Sequence, residues 1–135
     1  MSIDRRILAG SRLTSAQCRS SGTTADRYPS TGGVRMSNEA VRRVGRHVDY
    51  VHMPVVPWPD HAFLAPLQNL DIGDTKVFLG IVHHTDTIDD FRRRRDLACK
   101  NLPEFGIGSV CGYGRVDPQE AHDVLDPHAD NAAEL

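Results

Sequence analysis

Lys76-Val77-Phe78-Leu79-Gly80-Ile81-Val82 is nearly continuous apolar sequence, and its reading decides the fold. Seven residues rich in β-branched and aromatic side chains favour an extended strand over a helix. Apolar character without alternation is expected of a strand covered on both faces, as in parallel sheets. Downstream, Thr87 with Asp90 three residues later makes a capping box, which opens a helix expected to reach about Leu102. At about 100° per residue, Ile88, Phe91, Ala98, Cys99 and Leu102 share one side, and Arg92–Arg94 mostly face solvent. Arg95 falls near the apolar side, where it either reaches past the core edge or pairs with an acid such as Asp49. Gly106-Ile107-Gly108-Ser109-Val110 reads as a weaker strand, with Gly112 to Val116 as its exit loop. Asp117-Pro118 caps and starts a last helix.

Upstream of the central run the same alternation holds. Ser37 is a cap for a helix through Asn38–Val44, and Gly45 is its stop. Val48-Asp49-Tyr50-Val51-His52-Met53 is a short β-branched and aromatic strand ended by Pro54. A loop with Pro57, Trp58 and Pro59 leads to the apolar piece Phe63–Leu67, and Asp71–Thr75 form a turn. Helices therefore alternate with three strands. The fold class is α/β, with parallel strands joined by right-handed crossovers.

Residues 1–35 read as a disordered or unrelated tail, and residues 36–135 as the folded unit. The tail is rich in Ser, Thr, Gly and Arg and has no sustained apolar period, so it cannot bury enough surface to offset the entropy of ordering. Its composition also fits an organellar transit peptide, although the amphipathic signal at Ile3, Ile7 and Leu8 is short. Residues 1–47 hold nine arginines against three acids, whereas the remainder is acidic. The arginines are scattered and lack interleaved aromatics, so a nucleic-acid partner is not expected. No window approaches the ~20 apolar residues that cross a bilayer, so no membrane partner is expected either. Three cysteines (Cys18, Cys99, Cys111) are too few for a secreted disulfide framework, which points to a cytoplasmic setting.

Parallel α/β folds gather reactive groups at the carboxyl ends of their strands. The three strand ends here carry His52-Met53, then His83-His84-Thr85-Asp86, then Cys111-Gly112-Tyr113-Gly114-Arg115. A soft thiolate, imidazoles and a carboxylate on one rim have the donor chemistry of a zinc site. We assign His83, His84, Asp86 and Arg115 to substrate binding and Cys111 to a metal. Plain readings stand beside these. A lone cysteine at a strand end is also a small core filler. Asp86 also serves to start the next helix, and the glycines around Tyr113 to turn the backbone. Cys99 reads as core, and the arginine run as a solvated face, because no glycine-rich phosphate cradle accompanies it.

The stretch from about Val34 to Asp126 resembles the C-terminal catalytic domain of cobalamin-independent methionine synthases, especially their shorter relatives. The superfamily also contains uroporphyrinogen decarboxylase. The carrying motifs are Val48-Asp49-Tyr50-Val51-His52-Met53-Pro54, Leu79-Gly80-Ile81-Val82-His83-His84 and Cys111-Gly112-Tyr113-Gly114. The resemblance implies a (β/α)8 barrel in which zinc holds a small thiol as its thiolate, ready to take a methyl group from a folate. It also implies that Cys111 is the family's last zinc-binding cysteine. The family's His-x-Cys ligand pair has no counterpart in this chain, and its glutamate ligand would fall near Met53 or Pro54.

A full barrel needs about 250 residues, so about three of its eight βα units fit here. The expectation is a partial (β/α)8 TIM barrel: a fragment or short relative of a methionine-synthase-like methyltransferase, not competent alone. A second copy or a partner chain would complete it, and its substrate would be a small-molecule thiol. One alternative is a non-catalytic remnant or interaction module that seeks a partner through open sheet edges. Another is a different small α/β enzyme using His83, His84 and Asp86 as acid–base groups.

Overall fold

Three parallel strands form the sheet: β1 (Tyr50–Pro54), β2 (Lys76–Val82) and β3 (Gly106–Ser109), in the order β1-β2-β3. The computed structural model describes residues 30–135. Helix α1 (Thr31–Arg43) precedes the sheet; α2 (His61–Leu64), continued by a 3-10 turn Ala65–Asn69, joins β1 to β2. Helix α3 (Ile88–Cys99) joins β2 to β3, and α4 (Pro118–Asp123) and α5 (Leu125–Ala133) follow. The mixed α/β class and the parallel strands expected from the sequence are thus present, and the central strand has the expected bounds.

Strand register explains which side is core. Tyr50 pairs with Lys76, His52 with Phe78, Phe78 with Gly106 and Gly80 with Gly108, so these residues share one face. Met53, Val77, Leu79, Ile81 and Ile107 point the other way and are buried with Val34, Leu64, Leu67, Phe91 and Ala98 of the helical layer. Alternation along β1 and the start of β2 leaves Tyr50, His52, Pro54 and Lys76 exposed. The expectation that β2 is covered on both faces therefore fails in its first half. On the open face Phe78 is only half-buried, and full burial on both sides begins at Gly80.

Side chains on the open face lie flat across neighbouring glycines. The His52 ring covers Gly80 and Gly108, and the Phe78 ring lies over Gly106, where a Cβ would collide with it. Tyr50 meets Phe78 edge to face, with ring centroids 5.6 Å apart and planes at 74°. Gly106 and Gly108 therefore serve contact, not turning.

Helix termini follow local chemistry. Thr87 and Asp90 form the expected capping box, which opens α3. Asp117 caps α4 through the Gln119 N–H, with Pro118 in its first turn. Gly45 takes a positive φ of 65° just past α1, the expected stop. The start of α1 corrects the sequence reading. Ser37 is buried inside the helix, which begins at Thr31, so residues 31–35 belong to the folded unit and not to a tail. Tertiary contacts outweigh the glycines there: Ser30 donates to the Phe63 carbonyl from both its N–H (2.9 Å) and its hydroxyl (2.7 Å). Asn38 bridges to the Asn69 carbonyl and the Asp71 N–H, each at 2.9 Å. Residues 1–29, including Cys18, lie outside the described residues. No helix among the described residues is long and apolar enough to cross a membrane.

Candidate functional site

β2 and β3 deliver their exits side by side, since the Val110 N–H donates to the Val82 carbonyl at 3.2 Å. His83 directly follows β2 and is 8% exposed. A tight turn closes over it. The His83 N–H donates to Asp86 Oδ2 at 2.9 Å, and the Asp86 N–H returns to the His83 carbonyl at 3.2 Å.

Asp86 is tied down from below by Arg94, and here the sequence reading is corrected. The expectation that Arg92–Arg94 face solvent fails at Arg94, which is fully buried. Its Nε donates to the Ile81 carbonyl at 3.0 Å and its Nη1 to the Pro57 carbonyl at 2.7 Å, while Nη2 pairs with Asp86 Oδ2. Every face of the guanidinium is thus satisfied, which is the condition for burying it. Arg93 donates to the same Pro57 carbonyl at 3.0 Å and stacks over Trp58, 4.6 Å from the ring centroid. Arg95 pairs with Asp96 at 2.8 Å and donates to the Glu134 carbonyl at 3.2 Å, not to Asp49.

Burial holds the His83 pKa below its usual value, and the Arg94 cation adds to the effect. A backbone hydrogen bond with Val55 works against this shift. His83 Nε2 is buried without a partner among the described residues, so we assign the Val55 bond to Nδ1. The neutral ring then presents Nε2 as a bare acceptor. His84 faces outward, its Nε2 3.7 Å from Glu120 Oε1 on α4. Burial raises the Tyr113 pKa, so its hydroxyl keeps its proton. That hydroxyl lies against the His84 backbone without meeting hydrogen-bond geometry, and it too is buried without a partner.

His83, His84 and Asp86 therefore share one corner, in unequal states. Asp86 is committed to Arg94 and to the turn, His83 is buried and His84 is exposed. Arg115 is exposed in the 3-10 turn Tyr113–Arg115, and Cys111 is an exposed free thiol just before Gly112, whose φ is 113°. Among the described residues no three His, Cys, Asp or Glu side chains gather to hold a metal. The described residues alone do not fit the zinc site that the resemblance implies for Cys111. Cys99 is buried, as the helical spacing predicts.

A second polar cluster lies on the open sheet face. His52 Nε2 meets the Ser109 carbonyl at 3.1 Å, and Ser109 Oγ lies 3.5 Å from His128 Nδ1 on α5. Burial lowers the His128 pKa. With Tyr50, Phe78 and Ile107 these residues line a trough of about 800 Å³. Sequence reasoning missed Arg94, Ser109 and His128, and it placed Tyr113 in the rim motif without giving it a role of its own. Their roles come from partners far along the chain, which no local pattern marks. No family model, curated protein or solved structure matches the chain.

Proposed function

We propose that this chain is an arc of a methionine-synthase-like (β/α)8 barrel, a fragment or short relative that is not competent alone. The complete form would transfer a methyl group to a small thiol. One observation carries the reading: a parallel sheet in sequential strand order, with α1 to α3 packed on one face and, among the described residues, the opposite face open along β1 and the first half of β2 and met only by α5 beyond that. A barrel wall has that architecture, with helices outside and side chains pointing into the lumen. A doubly wound sheet would have crossover helices covering both faces along their length. The polar corner at the carboxyl ends of β2 and β3 is where such folds place their chemistry.

A second chain, a copy of this one or a separate partner, would cover the open half of that face and supply the missing ligand groups. Size-exclusion chromatography with light scattering tests this, and self-association or capture of a completing chain is expected. A monomer that melts cooperatively would overturn the reading. The isolated chain is also expected to take up less than one equivalent of zinc, with no change in Cys111→Ala. One tightly held equivalent, lost in that variant, would show that the site is complete without help.

A non-catalytic interaction module is the second reading. It is favoured by the commitment of Asp86 to the buried Arg94, which leaves the corner without a free carboxylate of its own turn. The same commitment weighs against acid–base catalysis through His83, His84 and Asp86. A completed assembly that shows no methyl transfer to any small thiol would select the module.

A further inference from the structure

The trough on the open sheet face brings a serine and an imidazole together. Ser109 Oγ lies 3.5 Å from His128 Nδ1, and both residues are half-buried in the trough wall. Regular strand pairing does not account for this meeting. β2 advances two residues, from Gly80 to Val82, while β3 advances one, from Gly108 to Ser109. An irregularity of that kind re-aims the side chain beside it. The Ser109 backbone is held as well, since His52 Nε2 donates to its carbonyl at 3.1 Å and the His52 ring lies across Gly80 and Gly108.

Each partner is in the state that nucleophilic attack needs. Burial lowers the His128 pKa, so the ring is neutral at pH 7 and Nδ1 is free to accept the serine proton. A separation of 3.5 Å is at the long end of hydrogen bonding, and such contacts tighten when substrate binds. Tyr50 and Phe78, packed edge to face, give the same trough an aromatic surface on which a planar aryl group can lie. Two features limit the substrate. The Val110 N–H is committed to the Val82 carbonyl, so it does not serve an oxyanion. Burial alone shifts His128, with no carboxylate behind the ring to strengthen it as a base. An ester that expels a phenolate needs the least help from either.

We propose that Ser109 and His128 form an acyl-transfer site for small aryl esters. Ser109 Oγ attacks the ester carbonyl, and its proton passes to His128 Nδ1. The bond between the acyl carbon and the aryl oxygen breaks, and His128 gives the proton to the departing phenolate. Water then attacks the acyl-serine, again losing a proton to His128, which returns it to Ser109 Oγ as the carboxylic acid leaves. Ester and water are the only reactants. This activity goes beyond methyl transfer to a thiol and does not depend on it.

4-Nitrophenyl acetate added to the full chain tests it, with nitrophenolate release and peptide mass mapping as readouts. A burst of release and an acetyl group on Ser109 are expected, and neither with ethyl acetate, whose leaving group is poor. Ser109→Ala should abolish both. His128→Asn keeps a hydrogen-bond acceptor close to the position of Nδ1 but takes up no proton, so it should slow acylation about 10²- to 10⁴-fold. A contact that merely ties α5 to β3 would leave that rate unchanged, and equal acylation of Ser109 in His128→Asn overturns the site. If either variant does not fold, mapping on the wild type decides. An acetyl group on the exposed Cys111 thiol or on Lys76 with Ser109 unmodified, or no acetylation at all, overturns the proposal.

Discussion

Arg94 shows how a single residue fixes the rim. It ties α3 to the end of β2, to the turn that follows it and to the distant Pro57 loop, through the Ile81 and Pro57 carbonyls and the Asp86 carboxylate, with no exposure to water. Arg94→Met fills much of the same space but leaves Asp86 buried without its counter-ion, which costs about 3–5 kcal/mol. Urea denaturation should show that loss, and Arg94→Met with Asp86→Leu should recover much of it. A single-variant loss below about 1 kcal/mol would mean that the pair is solvated in solution. Buried His83 and half-buried His128 make a separate prediction. Burial lowers the pKa of both His83 and His128 below the ordinary imidazole value of about 6.5, so the unfolded chain takes up protons first as the pH falls. Their contribution is fully present above about pH 6.5 and is lost as the pH drops toward the folded values, by at most ~1.4 kcal/mol per pH unit for each. Denaturant midpoints at pH 7.0 and 5.5 should fall in the wild type, and fall less in His83→Gln/His128→Gln. Stability that is flat or rising over that interval would contradict the burial of both rings.

At the scale of elements, β3 is the informative case. Its composition is poor for a strand, yet Gly106 and Gly108 are where the Phe78 and His52 rings lie flat. Gly106→Ala should push the Phe78 ring off the sheet and cost about 1–3 kcal/mol in thermal or urea unfolding. Adding Phe78→Leu should relieve part of that cost. A neutral or stabilising Gly106→Ala would mean that the ring moves freely, leaving only the usual gain from stiffening the unfolded chain. Elements specified by local chemistry were legible in the sequence: the Lys76–Val82 run, the Thr87–Asp90 box and the Asp117-Pro118 start. The first turns of α1 were not, because Thr31-Gly32-Gly33 carries no helical signal and is held by Ser30 and Asn38 reaching to residues 63–71. Arg94 was hidden for a similar reason. A run of four arginines reads as a wet face, and nothing local tells that one of them points inward to carbonyls of two other segments. The rim residues His83, His84 and Asp86 were found because they follow a strand. The unequal states of those three residues depend on burial and pairing that spacing does not encode.

At the scale of the molecule, the part of this face left open among the described residues decides what a partner must do. Three strands ~4.8 Å apart, exposed over about five residues of ~3.3 Å, present a flat patch of roughly 230 Å². Stable interfaces bury about 800 Å² on each side. Stacking on this face alone is therefore too small to hold a partner, and the remaining contact must come from the edges of β1 and β3, unpaired among the described residues, and the loops beside them. Tyr50, 57% exposed, adds apolar area at the β1 edge of this face. The completing chain is thus expected to add strands as well as to cover side chains. Amide hydrogen exchange tests this directly. Protection of outward-facing N–H groups on β1 and β3 should rise with protein concentration or on adding the partner, while β2, already paired on both sides, should change little. Tyr50→Lys places a charge at the β1 edge of the face, where the completing strand would add, and should abolish the concentration dependence. Because Tyr50 is mostly exposed, the same change should shift the unfolding free energy of the lone chain by no more than about 0.5 kcal/mol. Edge protection that is independent of concentration and indifferent to Tyr50→Lys would show that the sheet ends where the chain does, with its edges left to water.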